Sequence, residues 1–477
     1  MTGIDLNIHR MLFLDDTALE HSEGTERTFH AWKKECGNPI IVKKYDWEGI
    51  GPYNAHTEAH PDGGYCMWYG TYGGKNSDYP TGYMRSQDGI NWIRHPVWLN
   101  TIDDGAQAGG GQFDEGHNFG EYKYIGIAIY RFEDGIPDPH IRFKRSKDGI
   151  HWEYFPGNPY WIGPSDVFSF VWDPVRRKYI LYYKLWKLAG ETLDGKPFKC
   201  YFPGFDTTAG KDSFRGWGYA VLPERRNVDV TLKYDGNSSH DGGGGVVNSS
   251  VTMIRIIARA ESTDFVHWEN EQVIIEPPAD APLGDQSYGM SVRWYNGLYL
   301  GFLSHFNGIN GHIRPVLAWS YDGINFKVNY GSYLLDCDKG QWDGGMVGCG
   351  SILNSVGDRL CMYYGGTDTD HTRPDTELIG GIGRAWLRKE GFASLSGGLI
   401  VTKPIQISKE RLSLNMRGKI SVELINEDGS VLTSARVAGD HARIVPEIDL
   451  APYQGQVLRF RLNMQKGELY SLGLASK

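Results

Sequence analysis

The sequence predicts an all-β protein: a five-bladed β-propeller followed by a small C-terminal antiparallel β-sandwich. The first observation is a seven-residue motif, S-x-D-G-x-x-W/F, that occurs four times along the 477 residues. The second is its regular spacing, since the starts of the copies are 60, 116 and 58 residues apart. The third is a composition rich in Gly, Tyr and Trp and interrupted by turn dipeptides, with almost no helical apolar spacing. A fixed period of about sixty residues is typical of one supersecondary unit repeated about an axis.

The motif itself predicts a turn. Its aspartate can accept hydrogen bonds from nearby backbone N–H groups, and its glycine tolerates positive φ. The closing aromatic residue can then pack between neighbouring sheets, so we interpret these aspartates as structural. The third copy has Phe265 in the glycine place, and the four copies are Ser86–Trp92, Ser146–Trp152, Ser262–Trp268 and Ser320–Phe326.

Five units can be aligned around the motif, each with an inner strand, a turn, a middle strand and a strand that leads into the motif. The predicted inner strands are Asn54–His60, Gly111–His117, Phe168–Trp172, Met290–Trp294 and Met346–Leu353. The predicted middle strands are Tyr65–Tyr69, Tyr122–Tyr130, Lys178–Trp186, Leu298–Phe306 and Arg359–Tyr364. Four-stranded sheets repeated about an axis form a β-propeller, and five units predict five blades.

The predicted domain division follows from a change in the residue pattern near residue 395. Residues 1–395 are predicted to form the propeller, with an insertion in blade three at about 189–250 that explains the doubled spacing. Residues 396–477 alternate polar and apolar side chains, as in Ile420–Leu424 and Val457–Leu462, with a hairpin signal at Asn426–Gly429. This pattern predicts a small sandwich that serves as a packing or carbohydrate-contacting appendage.

Charge and composition exclude several classes of function. The formal net charge is −9 and no basic stripe occurs, so we expect neither nucleic acid nor a membrane surface as a partner. No apolar run is long enough to span a bilayer, and the N-terminus lacks a basic-then-apolar signal segment. Six cysteines without a C-x-x-C pair are typical of reduced thiols. We therefore expect a cytoplasmic protein, the alternative being a secretion signal already removed.

Acidic residues near the start of several inner strands predict chemistry at one mouth of a central funnel. They are Glu48 in blade one, Asp166 in blade three, Asp285 in blade four and Asp343 in blade five. Blade two is ambiguous, since Asp103 and Asp104 precede its inner strand while Asp114 and Glu115 lie within it. Carboxylates gathered at one mouth repel each other, so their pKa values must differ. Glycoside hydrolysis needs such a difference, because one carboxyl donates a proton while another acts as base or nucleophile. The alternative is that each acid caps a turn.

Other side chains near these acids predict contacts to a sugar. Trp47 and Trp342 precede two of the acids and could stack on a sugar face, with core packing as the alternative. His56, Arg293 and His305 could supply polar contacts.

We expect no metal and no cofactor. No H-x-x-x-H spacing, P-loop or dinucleotide motif occurs. A Ca²⁺ site at Asp368, Asp370 and Asp375 is the weaker alternative to a solvated loop.

The chain also resembles a bacterial family of glycosyl-hydrolase-like five-bladed propellers related to the invertase, levanase and arabinanase clan. The resemblance lies in the repeated motif, in the pairs Trp47-Glu48 and Trp342-Asp343, and in the segments Leu12–Asp16, Arg259–Ser262, Tyr288–Met290 and Tyr363–Gly366. It covers nearly the whole chain, including the terminal sandwich. The arabinanase-like pattern implies Glu48 as base or nucleophile, Asp166 as the residue that tunes a pKa, and Asp285 as general acid. The chain departs from that pattern, which has Asp first and Glu last, and the Asn-Asp-Pro-Asn-Gly and Arg-Asp-Pro segments of invertases are missing.

The leading hypothesis is a glycoside hydrolase that removes a terminal sugar, with a fructose- or arabinose-type furanoside favoured, from an oligosaccharide or glycan. The second hypothesis is a carbohydrate-binding propeller without catalysis. The third is a glycoside phosphorylase, since Arg293, His305, His312 and Arg314 follow the inner strand of blade four and could bind phosphate.

Overall fold

The structure is a computed structural model of the chain. It describes residues 4–5, 10–71, 80–96, 99, 111–130, 140–157, 160–162, 167–191, 197–202, 246–248, 251–278, 281, 285–308, 310–371 and 378–476. Most of the predicted insertion at about 189–250 lies outside this range, and so does Asp166.

The predicted all-β fold is confirmed: five antiparallel blades surround a channel, and a further sheet contains the C-terminal strands. The first six strands are β1 (Ile4–Asp5), β2 (Met11–Leu12), β3 (Leu19–Glu23), β4 (Glu26–Phe29), β5 (Lys33–Lys34) and β6 (Ile41–Val42). Blade one contains β7 (Asn54–Ala59), β8 (Tyr65–Gly70), β9 (Thr81–Ser86) and β10 (Ile93–Arg94). Blade two contains β11 (Gly111–Phe113), β12 (Tyr124–Tyr130), β13 (His140–Ser146), β14 (Trp152–Tyr154) and β15 (Tyr160–Ile162). Blade three contains β16 (Phe168–Asp173), β17 (Lys178–Glu191), β18 (Pro197–Phe202), β19 (Val246–Asn248), β20 (Val251–Ser262) and β21 (Glu269–Ile275).

The remaining strands complete the ring and the C-terminal sheet. Blade four contains β22 (Asp285–Tyr295), β23 (Leu298–Asn307), β24 (His312–Ser320) and β25 (Lys327–Tyr333). Blade five contains β26 (Met346–Val356), β27 (Arg359–Thr367) and β28 (Gly380–Arg388). The C-terminal strands are β29 (Ala393–Ser396), β30 (Leu399–Thr402), β31 (Ile405–Gln406), β32 (Arg411–Ile425), β33 (Val431–Ile444) and β34 (Val457–Ala475). In the described part of the chain, short 3₁₀ turns occur at Asp46–Glu48 and Ala451–Tyr453.

The ring is closed by the N-terminal segment. β5 and β6 pair antiparallel with β28, with Lys34 opposite Ala385 and Val42 opposite Gly381. The outermost strand of the last blade therefore comes from the start of the chain. The inner strands β7, β11, β16, β22 and β26 stand around the channel and contact their neighbours.

The C-terminal sheet is organised around the 19-residue strand β34. β32 runs along one side of it, while β2, β29, β30 and β31 pair with successive parts of the other side. Side chains from both sides share one apolar core, among them Phe13, Leu414 and Phe460, so the sheet curls around that core.

The structure differs from the predicted domain division at the N-terminus. The division places residues 1–395 in the propeller, yet β1 to β4 pair with strands of the C-terminal sheet. These first strands are short and carry few apolar residues, so their partners could not be read from their own sequence.

The repeated motif forms the predicted turn in all four copies. In the first, Oδ1 of Asp88 accepts hydrogen bonds from the backbone N–H groups of Ile90 and Asn91, both at 2.8 Å. The Ser86 hydroxyl accepts the Gly89 N–H at 2.8 Å. Phe265 of the third copy adopts a φ of +64°, the left-handed conformation that glycine has in the others. Among the described residues, no helix has the length and apolar character needed to cross a bilayer.

Candidate functional site

The start of the blade-four inner strand carries a carboxyl paired with an imidazole. Asp285 is the first residue of β22, and Oδ1 of its carboxylate accepts a hydrogen bond from the Asn307 amide at 3.1 Å. Nε2 of His305 lies 3.6 Å from the other carboxylate oxygen. The two side chains are 18% and 11% exposed, respectively, so they are reachable from solvent but held in place. The structure thus brings together Asp285 and His305, two of the predicted site residues.

Aromatic and basic side chains surround this pair. The ring of His305 lies 5.7 Å from that of Tyr330 and 6.1 Å from that of Tyr333, and the Arg314 guanidinium stands 4.6 Å above Tyr333. Burial lowers the pKa of His305 most strongly, Arg314 adds to this, and Asp285 opposes it. The net lowering favours a neutral imidazole near pH 7, which can donate one hydrogen bond and accept another through its two ring nitrogens. We name Asp285, His305, Tyr330 and Tyr333 the entrance site.

A second polar group lies on the same strand and was not predicted as functional. The Tyr288 hydroxyl is 2.7 Å from Nε2 of His371, which joins blades four and five. Lys184 and Arg255, both buried, place their cations 4.7 and 4.8 Å from the centre of the Tyr288 ring. Tyr288 stood out in the sequence only as part of a family-like segment, and nothing in its spacing indicated these two cations of blade three.

The far end of the channel carries a charged cluster that links blade one to blade four. Nε2 of His56 is 2.8 Å from Oε1 of Glu58, both on β7. From β22, Nη2 of Arg293 lies 3.2 Å from the same Glu58 oxygen and 3.4 Å from the His56 nitrogen. All three side chains are partly exposed although protein surrounds them, as expected for groups that line a channel. We name His56, Glu58 and Arg293 the channel clamp.

The channel clamp is separate from the entrance site. Arg293 follows Asp285 by eight positions on one strand, and a rise of about 3.3 Å per residue puts them roughly 25 Å apart. His56 and Arg293, predicted to contact the same ligand as Asp285, therefore lie near the other end of the inner strands. The predicted inner strand of blade four began at Met290, whereas β22 begins at Asp285, so the prediction missed the first five residues of the strand.

Two carboxyls near the clamp have pKa values shifted in opposite directions. Burial raises the pKa of Glu58, but Arg293 and His56 together outweigh it, so the net shift is downward. The pKa of Glu115, in the turn after β11, has a net upward shift: desolvation raises it most, Arg293 opposes this, and the Glu58 charge raises it further. Burial, more than any other cause, lowers the pKa of His56. These shifts favour an ionised Glu58 and a neutral His56, both in contact with the Arg293 guanidinium.

Glu48 occupies a different environment from the one predicted. Its side chain is fully buried at the end of a 3₁₀ turn, and its carboxylate accepts hydrogen bonds from the Tyr69 hydroxyl at 2.7 Å and the Tyr45 N–H at 2.9 Å. The guanidinium of Arg94, on the outer strand β10, donates to it at 2.9 Å. These contacts turn Glu48 toward the packing between blades and away from the channel, so the position opposes its predicted role as base.

Asp343 has the matching environment in blade five. It is buried, Lys34 of the outer strand β5 contacts its Oδ2 at 2.7 Å, and the Tyr364 hydroxyl donates to the same oxygen at 3.1 Å. The tryptophans that precede the two acids behave alike, since Trp47 stacks on Tyr69 and Trp342 on Tyr364, with ring centres 6.2 and 5.5 Å apart. The predicted equivalence of the two Trp-acid pairs is therefore structural in origin, and each tryptophan packs on protein.

Asp114 also fulfils a structural role. It is buried, and its carboxylate accepts hydrogen bonds from the Tyr179 hydroxyl at 2.7 Å and from the Asn118 N–H at 2.8 Å. These bonds tie the turn after β11 to blade three. Asp166 lies outside the described residues, and its assignment stays a prediction. Within the described part of the chain, no group of three or more His, Cys, Asp or Glu side chains is arranged to hold a metal ion.

Comparison with known proteins finds solved structures that are similar to this chain at low sequence identity. No protein-family model matches the chain, and no curated protein matches it in sequence. A solved N-acetylgalactosamine deacetylase from F. plautii, in complex with blood group B trisaccharide, is 12% identical with a TM-score of 0.47, over 75% of this chain and 96% of the other. A putative glycoside hydrolase from Bacteroides ovatus is 13% identical with a TM-score of 0.44, over 75% and 97% of the two chains.

A thermostable family-43 glycoside hydrolase is 12% identical with a TM-score of 0.43, over 70% of this chain and 88% of the other. Glycoside hydrolases are among the solved structures to which this chain is similar. The pairing of its own strands defines the propeller.

Proposed function

We propose that this protein is a carbohydrate-active enzyme, a glycoside hydrolase, whose chemistry takes place at the entrance site. The observation that carries the proposal is the contact between Asp285 and His305 at the start of an inner strand, in a partly exposed recess lined by Tyr330 and Tyr333. Tyrosine rings can pack against the apolar face of a sugar, while the carboxyl and imidazole bind its hydroxyls.

In this mechanism Asp285 acts as general acid and protonates the leaving glycosidic oxygen. His305 and Asn307 hold the carboxyl in place, and the proton that the base removes from the attacking water balances the one that Asp285 gives to the leaving group. A second carboxylate must act as base or nucleophile. The buried contacts of Glu48 disfavour it for this role, so we assign the role to Asp166, which precedes the inner strand of blade three in the sequence.

The channel clamp supports cleavage at the end of a glycan chain. Arg293 reaches across from blade four to Glu58 of blade one, and we expect this contact to obstruct the far end of the channel. A glycan that enters at the mouth then meets a closed end, which suits removal of a terminal sugar. We further propose that the sugar is a furanoside of the fructose or arabinose type, on the resemblance of the motifs.

The test uses a panel of nitrophenyl furanosides and pyranosides together with short fructan and arabinan oligosaccharides. The Asp285→Asn variant should lower the rate on the active substrate at least about a hundredfold, because it removes the acid. Asp62→Asn, a change of an exposed carboxylate in the turn between β7 and β8, is the matched control and should leave the rate unchanged. Full activity of the Asp285 variant would refute the assignment, and sugar binding without turnover would identify a carbohydrate-binding propeller instead.

Phosphorolysis is the second candidate, favoured by two basic residues beside the entrance site. Arg314 lies opposite His305 in the strand pairing, and its Nη2 is 3.1 Å from Nδ1 of His312. Such a group could hold a phosphate next to the sugar. A phosphorylase would release a sugar phosphate and depend on phosphate concentration, whereas a hydrolase would not.

A further inference from the structure

A shallow groove on the C-terminal sheet collects positive charge, although the whole chain carries a net charge of −9. Arg417 and Lys419 lie on β32 and Lys466 lies on β34, all three exposed. No carboxylate forms an ion pair with these three side chains among the described residues. Two acids lie beside the groove: Asp440 is bound by Arg388, and Glu468, opposite Arg417 in the pairing of β32 with β34, accepts hydrogen bonds from the hydroxyls of Ser394 and Tyr470.

The placement of two of these cations opposes the stability of the sheet. Lys419 and Lys466 stand directly opposite each other in the pairing of β32 with β34. Side chains at such positions have Cβ atoms about 5 Å apart, and like charges there repel. A bound anion would remove this repulsion, so the pair indicates an anionic ligand.

Three glycines adjoin across β33, β32 and β34 beside the groove, since Gly418 lies opposite Gly439 on one side and Gly467 on the other. A Cβ atom on Gly418 would come within 2.4 Å of the Lys466 carbonyl oxygen, and Gly418 has a φ of +85°. A Cβ atom on Gly439 would lie 2.3 Å from Nε2 of His441. Glycine is therefore required here by backbone conformation and close packing, and the exposed side chains of Arg417 and Lys419 stand on either side of Gly418.

We propose that this groove binds an acidic polysaccharide through the carboxylates of its sugar residues. Three cations suit a short row of carboxylates, whereas duplex DNA engages many more phosphates. The groove also lacks an aromatic side chain among its described lining residues, which disfavours the base stacking that single-stranded nucleic acid requires. The proposal is independent of the entrance site.

The test measures binding of the full-length protein to polygalacturonate by affinity gel electrophoresis, with fully methyl-esterified polygalacturonate as the uncharged comparison. We expect retardation by the acidic polymer only, and weaker retardation as salt is added, because the contacts are charge pairs at the surface. The double variant K419E/K466E should weaken binding at least about tenfold. K403E/R436E changes the net charge equally at two exposed positions elsewhere on the sheet and should retain binding.

Three outcomes would overturn the proposal: no retardation by polygalacturonate, equal loss in both double variants, or tighter binding to a DNA duplex than to the polysaccharide. Lys466→Gln separates binding from folding, since it relieves the repulsion and should weaken binding without lowering the unfolding temperature. Asp285→Asn should bind polygalacturonate normally, so a failure of the proposed hydrolase and a failure of this groove are distinguishable.

Discussion

At the residue scale, two blades share one arrangement: a basic residue of the outer strand forms an ion pair with the acid of a Trp-acid dipeptide. Glu48 with Arg94 and Asp343 with Lys34 share this arrangement, each completed by a middle-strand tyrosine. A buried carboxylate needs such partners because an unpaired charge in the interior is strongly unfavourable. Periodic acids in a sequence therefore do not by themselves distinguish a catalytic mouth from a repeated packing device.

Glu48→Gln should lower the free energy of unfolding by about 3–5 kcal/mol, because it leaves the Arg94 guanidinium buried without its counter-charge. Denaturant unfolding followed by tryptophan fluorescence measures the change. The control is Glu153→Gln, which breaks the exposed pair with Arg145 and should cost less than about 1 kcal/mol. Loss of activity at unchanged stability would instead support Glu48 as the catalytic base.

Glu115→Gln should stabilise the protein increasingly as the pH rises. The folded state raises the pKa of Glu115 above its unfolded value of about 4.3. The native residue therefore contributes stability at low pH that is lost as the pH rises through the folded pKa. Glutamine cannot ionise, so the variant avoids that loss. Unfolding between about pH 4 and 8 measures the difference, with the surface variant Glu121→Gln as control, and a difference that shrinks with pH would contradict the assigned shift.

At the scale of elements, the glycines of the repeated motif combine a left-handed backbone with close packing. Gly149 has a φ of +77°, and a Cβ atom there would lie 2.7 Å from the Trp68 ring of the neighbouring blade. Gly157 has a similar φ of +80° but no atom within 4 Å of the added carbon. The two positions therefore separate backbone strain from packing.

Gly149→Ala should destabilise the protein by at least about 1 kcal/mol more than Gly157→Ala. Both alanines share the cost of a left-handed backbone, about 1–2 kcal/mol, and only the first must displace a packed tryptophan. Comparison of the two unfolding curves tests this. An equal loss of unfolding free energy in the two variants would mean that packing of Gly149 on Trp68 does not stabilise the contact between blades one and two.

The strands were largely predictable because each blade obeys local rules. Alternating aromatic residues ended by turn dipeptides located every middle strand, and β12 differs from its prediction only at its start. The inner strand of blade four was placed too late, since Gln286 and Ser287, buried and polar, do not alternate like a strand. Glu58 escaped prediction because its partner Arg293 is 235 positions away and belongs to another blade. Such contacts depend on how the blades are arranged around the channel and not on the residue pattern of any one strand.

On the scale of the whole molecule, the first residues unite both halves of the fold. Residues up to Val42 supply four strands of the C-terminal sheet and the closing strands of blade five. Asp15 extends this role, since its carboxylate accepts the Trp319 indole N–H and contacts Lys327, both at 2.8 Å, on blade four. The segment is therefore an integral part of the propeller as well as of the sheet beside it.

Deletion of residues 1–44 should abolish the native fold and not merely weaken it, because blade five would lose its outer strand and the apolar core of the C-terminal sheet would be opened. Soluble yield, circular dichroism and size-exclusion elution measure this. Deletion of residues 1–9, which removes only β1, is the control and should give a folded protein. A soluble, cooperatively folded chain lacking residues 1–44 would show that the ring does not depend on its closing strands.

Because Leu12 pairs with Ser471, β2 finds its partner in β34 only after the whole propeller between them has been synthesised. Contacts this remote in sequence are slow to form, and strands that wait for their partners are prone to association with other chains. We therefore expect β2 to need shielding from other chains until β34 has been made.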